Sequence, residues 1–366
     1  MPLRKHLQRV RLKDAEEIGF PSWPVDRTVE CIFERLMTLL LEAGPAERIP
    51  FIWFWPDGHS SCAILTHDVE ATTGRDFCPG LMDLDDAHQI KASFQIIPES
   101  RYRVPPSFLD LIRSRGFEIN VHDLNHDGRL YDSRERFLER VERINRYGVE
   151  FKAAGFRSGA LYHNLDWYGH LKFSYDMSVP SVGHLEAQRG GCCSVMPFFI
   201  DRVVELPVTV TQDYSLFHIL NNYSIDPWKR QLATIMESHG LASFIVHPDY
   251  VIEARARKTY SQLLAYLADL RAEKQLWTAL PGEVDRWWRA RSQMQLTLRD
   301  GEWVIEGPEH HRAKVAYAVL DGGRLAYEIQ TQGPHASARA EEPLKDALAT
   351  RTSPACVEVT THAEER

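Results

Sequence analysis

Three short apolar runs in this chain each end in polar residues able to handle protons or bind a cation. Ala63–Thr66 leads into His67, Asp68 and Glu70; Phe117–Val121 into His122, Asp123 and His126; Phe244–Val246 into His247 and Asp249. His122 and His126 are four apart, and in helical geometry that spacing puts both imidazoles on one face. Two neutral ring nitrogens on one face can bind a divalent ion, and a carboxylate from another strand completes a facial set with positions left open. Asp68 and Glu70 are two apart, so on a continued strand they share a face. One can bind the ion while the other takes a proton from water. His67 then points the other way and reads as structural.

The elements that must position these residues are legible as an alternation. Strands are predicted at Phe51–Trp55, Ala63–Thr66, Ser93–Ile97, Phe117–Val121, Gly155–Arg157, Val203–Leu206, Leu241–His247 and Leu276–Ala279. Helices are predicted between most of them: Asp83–Lys91, Ser107–Arg115, Ser133–Tyr147, Leu165–Leu171, Asp226–Ser238 and Lys258–Glu273, with Asp132 and Glu135 as a capping box for the third. Near-continuous apolar strands alternating with helices imply a parallel sheet covered by helices. Eight strands suit a barrel, and such folds place their sites at the strand C-termini, where these polar residues fall.

Upstream, Val29, Ile32, Phe33, Leu36, Leu39 and Leu40 recur at helical spacing, and Gly44-Pro45 ends the run. Downstream of Trp287-Trp288, alternating segments flank Asp300-Gly301 and Asp321-Gly322-Gly323, the pattern of two hairpins. The predicted organisation is an N-terminal extension with a helix packing on the barrel (1–60), a barrel (61–290), a β-hairpin appendage (291–332) and a disordered tail (333–366).

Composition excludes several classes. The 366 residues carry 43 Lys+Arg against 51 Asp+Glu, a formal charge of −8, which disfavours nucleic acid and anionic membranes as partners. No apolar stretch is long enough to span a bilayer, and the basic N-terminus lacks the apolar core of a secretory signal, so the expected location is cytoplasmic. Six sparse cysteines without a C-x-x-C pair read as reduced thiols; a reactive role for Cys192-Cys193, beside Arg189, has no further charge to support it. The sequence sets no oligomeric state.

Four motifs in order resemble those of the polysaccharide deacetylase family, the NodB homology domain: Leu-Thr-His-Asp-Val-Glu at 65–70, His-x-x-x-His at 122–126, Gly-Phe-Arg-Ser at 155–158 and Val-His-Pro-Asp at 246–249. The resemblance covers roughly residues 60–290, and Leu-Pro-Gly-Glu-Val-Asp-Arg-Trp-Trp at 280–288 resembles the end of that domain in some members. It implies an α/β fold, a distorted (β/α) barrel of about seven parallel strands, here with a small C-terminal antiparallel β appendage. It implies removal of an acyl group from an amide or ester with one divalent metal ion, zinc first and cobalt or nickel next.

Carried over by motif, Asp68 matches the catalytic base, Arg157 the arginine that orients it, and His247 the general acid. Glu70, His122 and His126 match the metal ligands. Glu70 departs from the family's usual Asp, and Ser158-Gly159 replaces the proline that usually follows the arginine. Ser158, Tyr162 and Trp167 are candidate substrate contacts; Tyr214 and His163 lie on loops that could also line a groove. Asp123 and Asp249 are candidate supports for neighbouring histidines. Five tryptophans, Trp53, Trp55, Trp277, Trp287 and Trp288, read as core.

The expected function is metal-dependent deacetylation of an N-acetylated sugar or glycan intermediate. The alternatives are hydrolysis of a small non-peptide amide at the same site, or an inactive barrel that binds a glycan or partner. A phosphohydrolase of the all-helical kind is disfavoured by the strand-rich pattern.

Overall fold

The computed structural model describes residues 20–183 and 190–330. The expected tail at 333–366, and the residues Arg189 and His184, lie outside them. In chain order the helices are α1 (Thr28–Ala43), α2 (Thr72–Ala87), α3 (Pro106–Ser114), α4 (Arg134–Glu150), α5 (Asp226–Glu237), α6 (Pro248–Val251), α7 (Ala254–Ala272) and α8 (Pro281–Ser292). The strands that matter to the site are β2 (Ser61–Val69), β3 (Ser93–Ile96), β4 (Glu118–His122), β5 (Gly155–Arg157), β6 (Tyr175–Asp176), β8 (Val203–Glu205), β9 (Leu241–Val246) and β10 (Leu276–Ala279), all parallel.

Seven of them run around a strongly curled sheet in the order β9-β2-β3-β4-β5-β6-β8. The eighth, β10, pairs with the first half of β2 (Ser61–Ile64), and β3 takes over at Thr66–Val69. The distorted barrel expected from the sequence is therefore observed. It is closed between β8 and β9 by a side chain rather than a ladder: Thr209 Oγ1 donates to the Leu241 carbonyl at 2.7 Å and accepts from the Ser243 N–H at 2.9 Å. β7 (Phe198–Ile200) folds back antiparallel on β8.

β2 is buried along its whole length, which explains the apolar run Cys62–Leu65 within it. Helices α2, α3, α4, α5 and α7 cover the sheet with Leu81, Ile112, Phe137, Trp228 and Leu264, among others. A second core joins the barrel to the appendage. Trp55 and Trp287 lie at its centre, Trp277 and Trp288 pack against it, and Tyr317 comes from the far hairpin.

Several local expectations are corrected. The helix expected at Asp83–Lys91 begins eleven residues earlier, directly after the β2 terminus, and Pro79 lies inside it. Proline inside a helical pattern suggests a break, but here packing on the barrel carries the helix through. Helix α4 is capped by Ser133, whose Oγ accepts from the Arg136 N–H at 3.3 Å, and not by an Asp132 box. Two-residue β6 and three-residue β7 are too short to show a period. The strand expected at 51–55 is β1 (Arg48–Ile52), and it pairs antiparallel with β13 (Val315–Asp321) of the appendage. N-terminal and C-terminal segments thus share one sheet, β1-β13-β14, with β14 at Arg324–Ile329, while β11 (Gln295–Arg299) and β12 (Glu302–Glu306) form a separate hairpin.

Helix α1 packs on the β1-β13-β14 sheet. Its inward residues are Glu30 and Leu41, and the apolar stripe expected to face the barrel points outward instead. No described helix is long and apolar enough to cross a membrane.

Candidate functional site

The polar strand ends converge at one mouth of the barrel. β2 delivers Asp68, and Glu70 follows just past its end; β4 delivers His122, β5 delivers Arg157, and His247 follows β9. Glu70 Oε1 sits at the centre, 2.9 Å from His126 Nε2, 3.6 Å from His122 Nε2 and 3.5 Å from His247 Nε2. Asp68 Oδ2 is 3.7 Å from His122 Nε2. Tyr102 pins the strand end that carries Glu70, its hydroxyl donating to the Val69 carbonyl at 2.7 Å.

The two histidines do not meet through a helix turn, as the spacing suggests. His122 ends a strand and His126 sits in a loop. Asp123 (φ 54°) and His126 (φ 53°) are both left-handed, a conformation costly for residues other than glycine, and these turns fold His126 back until the ring centroids are 4.8 Å apart. Arg101, which sequence reading passed over, holds the loop by donating to the His126 carbonyl at 2.7 Å. Gly159 must lack a side chain here: a Cβ would lie 2.5 Å from Asp123 Oδ2 and 3.1 Å from the His126 ring.

His122 Nδ1 lies 3.2 Å from the Arg157 carbonyl, so it carries the proton and Nε2 presents a lone pair. That Nε2 is buried without a hydrogen-bond partner and faces Glu70. An orphaned buried nitrogen beside a carboxylate and a second imidazole fits a divalent cation. Glu70, His122 and His126 offer ligand atoms within 4.8 Å of one another.

Two further pairs flank this centre. Arg157 is fully buried and donates from Nη1 to Asp68 Oδ1 at 2.6 Å and to Thr66 Oγ1 at 2.7 Å, and from Nε to the Met177 carbonyl at 3.0 Å. Burial alone would raise the Asp68 carboxyl, but the Arg157 guanidinium, with His122 and His247, outweighs it and holds the pKa below the usual value. In the second pair His247 Nδ1 lies 2.7 Å from Asp213 Oδ1, and Asp213 Oδ2 accepts the His247 N–H at 2.7 Å. Burial opposes a charged imidazole, yet Asp213 more than compensates and His247 sits well above its ordinary pKa. Glu70 is likewise held well below the usual range, burial being overcome by the neighbouring His122, His126 and His247 rings.

Asp213 was missed at the sequence level. Its signal is an acid closing the alternating run Val208-Thr-Val-Thr-Gln-Asp, the same apolar-run-to-carboxylate ending as at the other strands. Asp249, expected to support His247, lies instead against the start of α2, where a Cβ on Gly74 would meet its Oδ1 at 3.2 Å. Asp123 is buried with Oδ1 accepting the Leu124 N–H at 2.6 Å, and it shapes the loop rather than bonding either histidine.

Trp167 stacks on Tyr131 and lies 5.3 Å from the Phe137 ring, so it packs on the core rather than standing free in a groove. Tyr162 is half-buried on the same core. Ser158 is buried, its N–H donating to Ser178 Oγ at 2.8 Å. The Tyr250 ring lies 4.6 Å from His247, with His218 4.3 Å and Tyr214 6.1 Å beyond, an aromatic wall beside the site. His67 faces away, bonded to Asp85 at 3.0 Å.

Behind Ser158 lies a buried acid pair. Asp176 and Glu205 are register partners on β6 and β8, both without solvent exposure. Ser178 bonds to both, its N–H donating to Asp176 Oδ1 at 2.9 Å and Glu205 Oε1 at 3.1 Å. Burial, and the neighbouring Asp176, push Glu205 well above the carboxylate range; Asp176 is raised by burial too.

No family model and no curated protein matches the chain. Solved structures do. A Mycobacterium smegmatis protein described as a polysaccharide deacetylase superposes with a TM-score of 0.54 at 19% identity, over 71% of this chain and 99% of that one. The chain has the polysaccharide deacetylase fold. A Pseudomonas aeruginosa PAO1 protein of like description matches at a TM-score of 0.49 and 12% identity, over 64% of this chain and 93% of that one. Puue allantoinase matches at 0.46 and 12%, over 64% and 92%.

Proposed function

We propose that this protein is a metal-dependent hydrolase that removes an acetyl group from an N-acetylated sugar or glycan intermediate. One observation carries the reading: the Asp68–Arg157 pair and the His247–Asp213 pair both border the Glu70, His122 and His126 centre, with Asp68, Glu70 and His247 offering atoms within 4.8 Å of one another. Hydrolysis of an amide needs a base for water, charge stabilisation for the oxyanion and an acid for the leaving nitrogen.

Glu70, His122 and His126 would hold the divalent cation, which when bound acidifies water and polarises a carbonyl. Asp68 accepts the proton from the attacking water. Arg157 keeps Asp68 ionised and fixes Oδ1, leaving Oδ2 to face the centre. His247, kept protonated by Asp213, donates from Nε2 to the departing nitrogen. The aromatic wall of Tyr250 and Tyr214 suits the apolar face of a sugar ring.

The test is acetate release from N-acetylated glucosamine oligomers by zinc-, cobalt- or nickel-loaded protein, wild type against Asp68→Asn. Turnover that falls by roughly 100-fold or more with metal content unchanged supports the reading. Full turnover in Asp68→Asn removes the assigned base. If a loaded wild type hydrolyses only small amides, the substrate assignment fails while the site assignment stands.

A further inference from the structure

Helix α1 is amphipathic, but it is mounted with its apolar face away from its own chain. Ile32, Phe33, Leu36, Leu39 and Leu40 are 43% to 62% exposed. Its inward face includes Glu30, which is buried and bonded to Ser194 Oγ at 2.5 Å, and half-buried Glu34. Burial raises the pKa of both carboxyls. A helix that turns Glu30 and Glu34 inward and five large apolar side chains outward loses apolar burial unless something covers the stripe.

The stripe has internal order. Val29, Ile32, Leu36, Leu39 and Ala43 alternate by three and four residues, the spacing of a coiled-coil seam. Phe33 and Leu40 widen one flank. Arg35 and Glu42 lie on the other flank, seven residues apart and so on the same edge. Both are exposed, and among the described residues neither is in an ion pair.

We propose that α1 is the homodimer interface, pairing antiparallel with α1 of a second copy across a two-fold axis. An antiparallel two-fold brings each edge of the seam against the same edge of the partner. Arg35 then meets the partner's Glu42, and Phe33 meets the partner's Leu40, both in the register that sets Leu36 against the partner's Leu39. A parallel pairing would oppose Arg35 to Leu40 and leave the charges unmatched. The stripe exposes apolar surface on the order of 500 Å² per protomer, more than half of the roughly 800 Å² per partner of a standard interface. The net charge of −8 argues against an anionic membrane as the occupant.

Sedimentation equilibrium of the full chain tests this, since one copy is 42.1 kDa. Wild type at twice that mass, and Leu36→Glu at the single mass with an unchanged far-ultraviolet spectrum, is the expected result. Arg35→Glu should weaken association at least tenfold, and the double swap Arg35→Glu/Glu42→Arg should restore it, which holds the test open if Leu36→Glu fails to fold. A monomeric wild type overturns the proposal, and the chain's own termini then become the occupant to examine. A dimer that survives Leu36→Glu, or a double swap that fails to recover, also overturns it.

Discussion

Asp213 grips His247 at two points: one carboxylate oxygen faces Nδ1 at 2.7 Å and the other accepts the backbone N–H at 2.7 Å. The ring is thereby fixed with Nδ1 protonated and Nε2 aimed at Glu70, 3.5 Å away. Asp213→Asn keeps the shape and removes the charge. His247 then loses the partner that raises its pKa, so the imidazolium gives up its proton at lower pH. The alkaline limb of the rate profile should move to lower pH, and kcat at pH 8 should fall roughly tenfold or more. A profile that does not move would show that His247 is not the proton donor.

Arg157 has no exposure and Asp68 almost none, so each is the other's compensation for burial. Arg157→Met leaves Asp68 buried and unpaired, with an expected cost of about 3–5 kcal/mol by denaturant unfolding. Arg157→Lys retains the charge but not the three-way contact with Asp68, Thr66 and Met177, and should lose activity with a smaller stability cost. Equal stability of Arg157→Met and wild type would contradict the pairing.

Gly159→Ala places a methyl group against Asp123 Oδ2 and the His126 ring. The loop must shift, at about 1–3 kcal/mol. Because the displaced ring belongs to the proposed ligand set, zinc affinity measured by chelator competition should drop at least tenfold while His67 and the rest of the core are untouched. Unchanged affinity would place the ligands elsewhere.

Glu205 has a folded pKa far above its unfolded value of about 4.3, so its contribution to stability is complete below that pH. It is lost as pH rises toward the folded pKa, because the folded chain must keep a proton that the unfolded chain releases. Glu205→Gln has no such proton. Thermal melts should show the variant gaining on wild type from pH 5 to pH 8, by up to about 1.4 kcal/mol per pH unit. A constant difference across that range would mean that the pair carries no buried proton.

Much of the site was legible because its parts are local in sequence. An apolar run followed by His or Asp is a strand end with chemistry on it, and strand C-termini in parallel sheets share one rim. Asp68, Glu70, His122, His126 and His247 could therefore be read from short windows, while Arg157 entered only through the motif resemblance. Asp213 could not, because its role depends on the seam between β8 and β9, where Thr209 closes the barrel and brings two distant segments together. Asp249 is nearer His247 in sequence, but the start of α6 turns it toward α2.

By itself, the sequence determined the alternation of strands and helices, the barrel and the identity of the groups at its mouth, since period and composition are properties of short windows. Only the tertiary structure decided which way things face. A 3.6-residue period says that α1 has an apolar side but not what lies against it, and the side carrying Glu30 and Leu41 is the one that faces inward. Four-residue spacing says that His122 and His126 can meet, but two left-handed residues, not a helix turn, make them do so. Direction is a long-range quantity, set by which surfaces remain available once the core has closed.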